Sequence, residues 1–291
     1  RRKMIYPINK SNYKDFNVIE ENKLNERSYF IPFSSREALE KTDYLSERYL
    51  SDRVDVLSGE WDFAYFAKAS ELNDNFDTEK VNFDKVSVPS TWQRTGYDQI
   101  AYINTRYAFK KDPPRIPSDI PVGVYRRYFT VENAEMNRII TFLGVAGCLS
   151  LYVNGQYIGY SEGSHNSAEF DISDYVHNGE NELIAVVFKW CNGTYLECQD
   201  MFRENGIFRD VYITSHEESY IYDIFLRPKF VGDGNYSLIA SVDGTFATNV
   251  RITLELIGDG VERKDELQPN GTVIARNISP KEWSAETPNV Y

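Results

Sequence analysis

Two carboxylates, Glu197 and Asp200, lie three residues apart in a segment that also carries aromatic side chains and a turn. A pair of carboxylates can act as general acid and base on a glycosidic bond. The same groups can equally form salt bridges, here with Arg203 or Arg209. Because this spacing also suits ordinary ion pairs, the residues alone favour a binding or structural role over catalysis.

A second segment carries a tryptophan, two tyrosines and an asparagine, at Trp92, Tyr102, Tyr107 and Asn104. Aromatic faces could hold a sugar, and the asparagine amide offers both a donor and an acceptor. The alternative, favoured on the residues alone, is a loop packed by its own aromatic side chains. The region 96–121 contains four prolines, and a loop of this length in a compact domain is usually functional.

The remaining reactive groups do not suggest a catalytic arrangement. His165, His177 and His216 are scattered along the chain, and no Ser/His/Asp pattern accompanies them. The glycine-containing stretch at 144–147 lacks the lysine and the helix pattern of a phosphate-binding loop. Nucleophilic catalysis by a triad and nucleotide binding are therefore not predicted.

Composition limits the partners and the cellular setting. The chain has 291 residues and a net charge of −12, which argues against nucleic acid or an anionic membrane as a partner. It has no apolar run of about eighteen residues, so no membrane span is predicted. The odd cysteine count, from Cys148, Cys191 and Cys198, argues against a disulfide framework. Reduced thiols and a cytoplasmic location are expected, with a periplasmic or secreted location left open.

The hydrophobic pattern predicts that β-strands position the two candidate segments. Residues 59–66 alternate acidic and aromatic side chains, as a strand with one buried face does. The pair Asn154 and Gly155 supplies the positive φ angles of a type I′ hairpin turn. Residues 183–190 are nearly all apolar and predict a central strand covered on both faces. One short helix is predicted at 35–40, with its first serine as the cap.

Many short strands separated by turns predict an all-β protein of sandwich or barrel type rather than βαβ units. We divide the chain into an arm at 1–55, a first sandwich at 56–217 and a second sandwich at 218–291. The second series of strands alternates cleanly, as in a small antiparallel sandwich. It is shorter than the ~100 residues that such a sandwich normally takes, so it is predicted to be incomplete.

Nine segments, in the order of the chain, resemble the large bacterial β-galactosidases of glycoside hydrolase family 2. They include Gly-Glu-Trp-Asp-Phe in the first sandwich, Tyr-Ile-Asn-Thr-Arg-Tyr in the proline-rich loop, and Tyr-Leu-Glu-Cys-Gln-Asp-Met around the paired carboxylates. The segments are 57–64, 88–93, 102–107, 121–125, 153–155, 168–173, 195–201, 206–211 and 283–291. No single segment is sufficient, but together they are highly specific for the family.

The resemblance implies a jelly-roll sandwich of the galactose-binding-like type, then an incomplete immunoglobulin-like sandwich, then a (β/α)₈ barrel beyond residue 291. In the family both catalytic glutamates lie on the barrel and hydrolyse the galactoside with retention. Glu197 and Glu169 are therefore not candidates for those roles. The chain is expected to be inactive alone and to contribute substrate contacts, sodium contacts and subunit interfaces.

The resemblance also implies roles for two residues of this chain. Asn104, from the family's Tyr-Thr-Asn segment, is expected to reach into the active site. Asp200 is expected to bind galactose and a sodium ion, since a hard cation prefers oxygen ligands. The family's magnesium ligands are on the barrel and have no counterpart here. The chain departs from the family at Cys198, which replaces an aspartate, and at Phe202, which replaces a tryptophan and weakens any sugar platform there.

Three alternatives stay open at this point. A β-glucuronidase or a β-mannosidase would share the domain order, although the Gln-Asp-Met and Tyr-Ile-Asn-Thr segments favour a β-galactosidase. A stand-alone carbohydrate-binding module is compatible with the jelly roll alone.

The incomplete second sandwich would expose sheet edges and apolar surface, so we expect it to pair with another copy or to be the less ordered part. The resemblance implies a homo-oligomeric parent enzyme.

Overall fold

The computed structural model describes residues 3–102, 106–197, 199–258, 261–267 and 272–291, with the side chains of 272–277 left aside. The chain forms two compact units. The first consists of Arg1–Asn25 and Ile31–Ser215, and the second of Glu26–Phe30 and His216–Tyr291. No helix in the described ranges is long and apolar enough to cross a membrane.

Short strands make up most of the regular structure. The strands are, in chain order, β1 (Ile5–Pro7), β2 (Glu20–Glu21), β3 (Val54–Val56), β4 (Gly59–Phe66), β5 (Asn75–Asp77), β6 (Asp84–Val88), β7 (Ala101–Tyr102), β8 (Val122–Val131), β9 (Asn137–Phe142), β10 (Val145–Ala146), β11 (Cys148–Val153), β12 (Gln156–Ser161), β13 (Ala168–Asp171), β14 (Gly179–Phe188), β15 (Phe202–Arg203), β16 (Gly206–Ile207), β17 (Val211–His216), β18 (Tyr220–Gly232), β19 (Asn235–Thr245), β20 (Ile252–Gly258), β21 (Val261–Leu267) and β22 (Thr272–Ile278). The helices are α1 (Arg36–Glu40) and 3₁₀ turns at Asn12–Lys14, Ala69–Glu71, Thr78–Lys80, Ser173–Tyr175 and Asn192–Tyr195.

The first unit is a β-sandwich. Its larger sheet has the order β2-β12-β11-β14-β8-β4-β6, and its smaller sheet has the order β13-β9-β17-β3. Apolar side chains from both sheets, among them Trp61, Phe63, Phe142 and Phe170, form one continuous buried cluster. The predicted all-β class and sandwich architecture are confirmed.

Strand β14 lies at the centre of the larger sheet, between β11 and β8. Leu183 and Val187 point into the cluster between the two sheets. Ile184 and Phe188 point to the opposite face, into a second buried cluster that contains Tyr13. Because each such side chain contributes roughly 1.5–3 kcal/mol on burial, a continuous apolar run is stable only in a strand covered on both sides. The predicted central strand is confirmed.

Two local signals act as the sequence predicts. Asn154 and Gly155 have φ angles of 50° and 85°, and they join β11 to β12 in a tight hairpin. The side chain of Ser35 accepts a hydrogen bond from the backbone N–H of Ala38 at the start of α1. Asparagine and glycine adopt positive φ angles more readily than most residue types. Serine is a preferred residue at the start of a helix because its side chain accepts a hydrogen bond from the first turn.

The second unit contains an antiparallel sheet of order β18-β19-β22 and a two-stranded sheet of β20 and β21. Leu238 and Ile278 are buried in one small apolar cluster, and Val242, Ile252 and Leu267 are buried in another. Alternating burial along β19 matches the predicted small antiparallel sandwich. The predicted incompleteness of this sandwich stays a prediction.

Asp62 links three strands of the larger sheet through ionic hydrogen bonds. Its carboxylate is 2.5 Å from Nη2 of Arg126 on β8 and 2.8 Å from Nζ of Lys85 on β6. Burial opposes ionisation of Asp62, but the hydrogen bonds from Lys85 and Arg126 outweigh it and hold its pKa below the ordinary value. Asp62 therefore stabilises the fold above pH ~4, and this contribution is lost as the pH falls through the lowered pKa.

We expect Asp62→Asn to lower the free energy of unfolding by about 2 kcal/mol at neutral pH, because the charge-assisted hydrogen bonds from Arg126 and Lys85 lose their anionic acceptor. The difference from wild type should shrink as the pH falls below ~4 and through the lowered pKa of Asp62, because protonation of the wild-type carboxyl removes the same anion. Urea unfolding at neutral pH and at a series of acidic pH values measures this difference. Asp74→Asn is the control, since Asp74 is 78% exposed in its pair with Lys10. A difference in unfolding free energy between wild type and Asp62→Asn that does not change with pH would contradict the stabilising role of the Asp62 carboxylate.

Candidate functional site

Strand pairing brings the two sequence-predicted segments together. Tyr102 of β7 pairs with Phe202 of β15, and Ala101 pairs with Arg203. The ring centroids of Tyr102 and Phe202 are 5.6 Å apart. Asn104 lies outside the described residues, but Tyr102, two positions before it, is fixed beside the segment that carries Asp200. The loops are thus neighbours in space although about a hundred residues separate them in the chain.

Asp200 is exposed, and its carboxylate accepts a hydrogen bond from the Tyr102 hydroxyl. This hydrogen bond is the main reason why the pKa of Tyr102 is raised. An accessible carboxylate can accept hydrogen bonds from sugar hydroxyls or supply an oxygen ligand to a hard cation. Within the described residues, no group of three or more His, Cys, Asp or Glu side chains converges as metal ligands would.

The side chain of Glu197 links its own loop to the loop that carries Ser164. Both its carboxylate oxygens accept hydrogen bonds from Ser164, one from the backbone N–H and one from the hydroxyl, each at 2.7 Å. Arg203 donates to the backbone carbonyl of Glu197 at 2.6 Å and not to a carboxylate. Arg209 donates to the carbonyl of His165. In the described part of the chain neither arginine forms a salt bridge with Glu197 or Asp200, and the contacts of Glu197 are those of a structural residue.

The turn that follows β14 is held by Glu162, a residue that the sequence pattern did not single out. Its carboxylate accepts hydrogen bonds from the backbone N–H of Gly193 at 3.0 Å and from the side chain of Asn192 at 3.1 Å. Burial raises the pKa of Glu162, and a third hydrogen bond from Tyr160 opposes this rise. These contacts fix the direction in which the chain leaves the sheet towards Asp200.

The aromatic residues of the loop divide into two groups. Tyr107 packs edge-on against Tyr195, with ring centroids 4.7 Å apart, and donates to its backbone carbonyl at 3.1 Å. Trp92 is 1% exposed and lies against Phe63 in the core. A sugar platform at Trp92 is therefore wrong, since no ligand reaches its ring. Self-packing, the favoured alternative, is confirmed for these residues, whereas Tyr102 remains 54% exposed.

Buried polar contacts anchor the chain between Asp200 and β16. Gln93 and Asn205 exchange two hydrogen bonds, from Nε2 to Oδ1 at 3.0 Å and from the backbone N–H to Oε1 at 2.8 Å. The Glu204 carboxylate accepts from Thr91 at 3.0 Å and from Arg94 at 2.9 Å. These partners are more than a hundred residues apart, so no local sequence signal could have identified them. They hold the segment of Asp200 against the end of the sandwich.

Both buried cysteines are free. Cys148 and Cys191 carry no disulfide, in agreement with the expected reduced thiols. The Cys191 backbone N–H bonds to the Thr194 hydroxyl at 2.9 Å, which places Cys191 at the start of the turn after β14. Cys198 lies outside the described residues.

Comparison with known proteins places this site in context. Residues 54–217 match the family described as "Glycosyl hydrolases family 2, sugar binding domain". A β-galactosidase of Actinobacillus pleuropneumoniae is 37% identical over 290 residues, which cover 96% of this chain and 27% of that protein. A β-galactosidase of Staphylococcus xylosus is 38% identical over 283 residues, which cover 96% of this chain and 28% of that protein. The chain thus spans about a quarter of the length of these relatives.

Solved structures share the fold at low sequence identity. A β-glucuronidase of an uncultured Clostridium sp. has a TM-score of 0.54 at 20% identity, over 81% of this chain and 41% of that one. A β-D-mannosidase from Dictyoglomus thermophilum has a TM-score of 0.54 at 17% identity, over 79% of this chain and 32% of that one. At these identities the likeness concerns the fold alone.

Proposed function

Because this chain belongs to glycosyl hydrolase family 2, we propose that it is the non-catalytic, substrate-contacting part of a β-galactosidase. The parent protein would hydrolyse terminal non-reducing β-D-galactosides such as lactose, with retention of configuration. The observation that carries the proposal is the pairing of β7 with β15, which sets Tyr102 beside the segment that carries Asp200. The β-galactosidase relatives, at 37% and 38% identity over 96% of the chain, support the choice of substrate.

In this proposal Asn104 and Asp200 contact the sugar, and Asp200 also supplies one oxygen ligand to a sodium ion. The exposure of Asp200 and its hydrogen bond from Tyr102 support this role, because they present an oriented carboxylate to solvent. The bound sodium ion would supply fixed positive charge next to the sugar hydroxyls. The ligands of magnesium would lie elsewhere in the parent protein.

The chain would not perform the chemical step itself. Retaining hydrolysis needs two carboxyl groups about 5 Å apart on either side of the glycosidic bond. Both carboxylate oxygens of Glu197 accept hydrogen bonds from Ser164. Glu169 is 6% exposed and accepts a hydrogen bond from Thr141 at 2.8 Å. These contacts support a division of labour in which this chain binds and orients the sugar while the catalytic acid and nucleophile lie elsewhere in the parent protein.

The test is a comparison of substrates with the full-length protein. We expect kcat/KM for 4-nitrophenyl β-D-galactoside to exceed that for the β-D-glucuronide and the β-D-mannoside by at least about 10²-fold, because a site that hydrogen-bonds specific hydroxyls rejects analogues lacking them. A preference for the glucuronide or the mannoside would assign the chain to another activity within the family. Binding of sugars without turnover of any of the three would favour a carbohydrate-binding module.

A further inference from the structure

Asparagine is followed by glycine at five places in the chain, at 154–155, 178–179, 192–193, 205–206 and 270–271. Such pairs are chemically labile, because glycine has no side chain to hinder attack of its backbone nitrogen on the preceding side-chain amide. The structure describes four of the pairs, and the pair at 270–271 lies outside the described residues. Attack requires the amide to turn towards the nitrogen, so a side chain that hydrogen bonds hold in place reacts slowly.

Three of the four described asparagine side chains are held through their amide nitrogen. Nδ2 of Asn154 donates two hydrogen bonds, at 2.7 and 2.9 Å. Nδ2 of Asn192 donates to the backbone carbonyl of Asp15 at 2.8 Å and to the carboxylate of Glu162 at 3.1 Å. Asn205 is 4% exposed and donates to a backbone carbonyl at 3.0 Å. The fold therefore protects these three pairs.

The fourth side chain, that of Asn178, is exposed and held only through its oxygen. Oδ1 accepts a hydrogen bond from the backbone N–H of Ala134 at 2.7 Å, whereas Nδ2 donates none within the described residues. Gly179 is also exposed, and a Cβ built there would meet nothing within 4 Å. Gly179 is the first residue of β14, and the ends of strands open more readily than their centres. The amide of Asn178 can therefore turn towards the nitrogen of Gly179.

We propose that Asn178 is a site of spontaneous deamidation. The backbone nitrogen of Gly179 forms a bond to Cγ of Asn178, its proton passes to the side-chain nitrogen, and ammonia leaves. Water then opens the resulting succinimide at one of its two carbonyl carbons. One opening leaves aspartate at position 178, and the other leaves isoaspartate, in which the backbone runs through the side-chain carbons. The reaction involves neither Asp200 nor Asn104, so it does not depend on the proposed function.

The two products differ in their effect on the turn before β14. Asn181 is 1% exposed, and its Nδ2 donates to the backbone carbonyls of His177 at 2.8 Å and of Gly179 at 2.9 Å. Its Oδ1 accepts from the backbone N–H of His177 at 3.0 Å. These bonds fix the spacing between the residues on either side of Asn178. Aspartate leaves the backbone unchanged, whereas isoaspartate adds one carbon to it and cannot keep all three bonds. Isoaspartate therefore loosens the start of the central strand.

Peptide mapping by tandem mass spectrometry, after incubation of the folded 291-residue chain in warm, mildly alkaline buffer, measures deamidation at each asparagine. We expect Asn178 to react at least about tenfold faster than Asn154, Asn192 and Asn205, because each hydrogen bond that must open first reduces the reactive population by about fivefold. In concentrated urea the four rates should become similar. Equal rates in the folded chain, or a preference for Asn178 that persists in urea, would overturn the proposal.

The variant Asn178→Gln tests the effect on stability. Glutamine keeps an amide but needs a larger ring for the same reaction, so aged Asn178→Gln should unfold in urea as the fresh variant does. Aged wild type should unfold at a lower urea concentration than fresh wild type, in proportion to its isoaspartate content. Asn178→Asp should unfold as fresh wild type does, because its backbone is unchanged. An equal loss of stability on ageing in wild type and in Asn178→Gln would overturn the assignment of this loosening to position 178.

Discussion

Replacing Asp200 by alanine in the full-length protein is expected to lower kcat/KM for a β-galactoside by roughly 10²-fold. The carboxylate is exposed and oriented by the hydroxyl of Tyr102. In the proposed role, its removal takes away both an acceptor for sugar hydroxyls and an oxygen ligand for sodium. Loss of a metal ligand or of a substrate-positioning group typically reduces activity by about this factor. Steady-state kinetics in sodium and in potassium buffers of equal ionic strength measure the effect.

The sodium response separates a specific role from general damage. Wild-type kcat/KM should rise with sodium concentration, whereas that of Asp200→Ala should be low and independent of sodium. Asp112→Ala is the matched control, because Asp112 is 63% exposed and lies 3.7 Å from Arg115 on the surface. The control should retain the activity and sodium response of wild type. Asp200→Ala with activity within about twofold of wild type would remove Asp200 from the site.

The second large effect is expected at Gly206, which lies two residues after Glu204 in the strand that anchors the site. Its φ angle is +120°, and an added Cβ would lie 2.5 Å from the hydroxyl oxygen of the buried Tyr125. Gly206→Ala should lower the free energy of unfolding by roughly 3–5 kcal/mol, from backbone strain and from overpacking against the core. Urea unfolding of the 291-residue chain gives the value.

Gly59→Ala separates the two causes. Gly59 has a similar φ angle, +128°, but an added Cβ would meet nothing within 4 Å. This variant should lose only about 1–2 kcal/mol, which is the backbone penalty alone. The excess loss at Gly206 then measures the overlap with Tyr125. Equal losses in the two variants would show that the close approach to Tyr125 is not what requires glycine at 206.

The parts of the fold that the sequence predicts are those with a local cause. The apolar run of β14 requires cover on both faces, and the Asn154–Gly155 pair accepts the positive φ angles of a tight hairpin. Ser35 caps α1 through a hydrogen bond to Ala38, three residues away. In each case the interaction lies within one element or follows from the periodicity of the apolar residues. The local sequence is therefore enough to predict it.

The geometry around the candidate site has a different origin. Strands β7 and β15 have two residues each, which is too short for a periodic signal, and their pairing joins distant parts of the chain. The sequence allowed a sugar platform at Trp92 because polar residues and a proline-rich loop follow it in the chain. In the structure Trp92 packs against Phe63 and is buried in the core. Glu162 is a single carboxylate about thirty residues from the turn that it holds. Only the tertiary fold reveals such contacts.

Hydrolysis of a chromogenic β-D-galactoside by the purified 291-residue chain, measured beside the full-length protein, tests the central claim most directly. The chain should be folded, with a cooperative urea transition for its first unit, and should show no turnover above a blank without protein. The full-length protein should hydrolyse the same galactoside under the same conditions. Turnover by the 291-residue chain that is lost in Glu197→Gln or Glu169→Gln would contradict the account, since it would place the catalytic carboxylates within this chain.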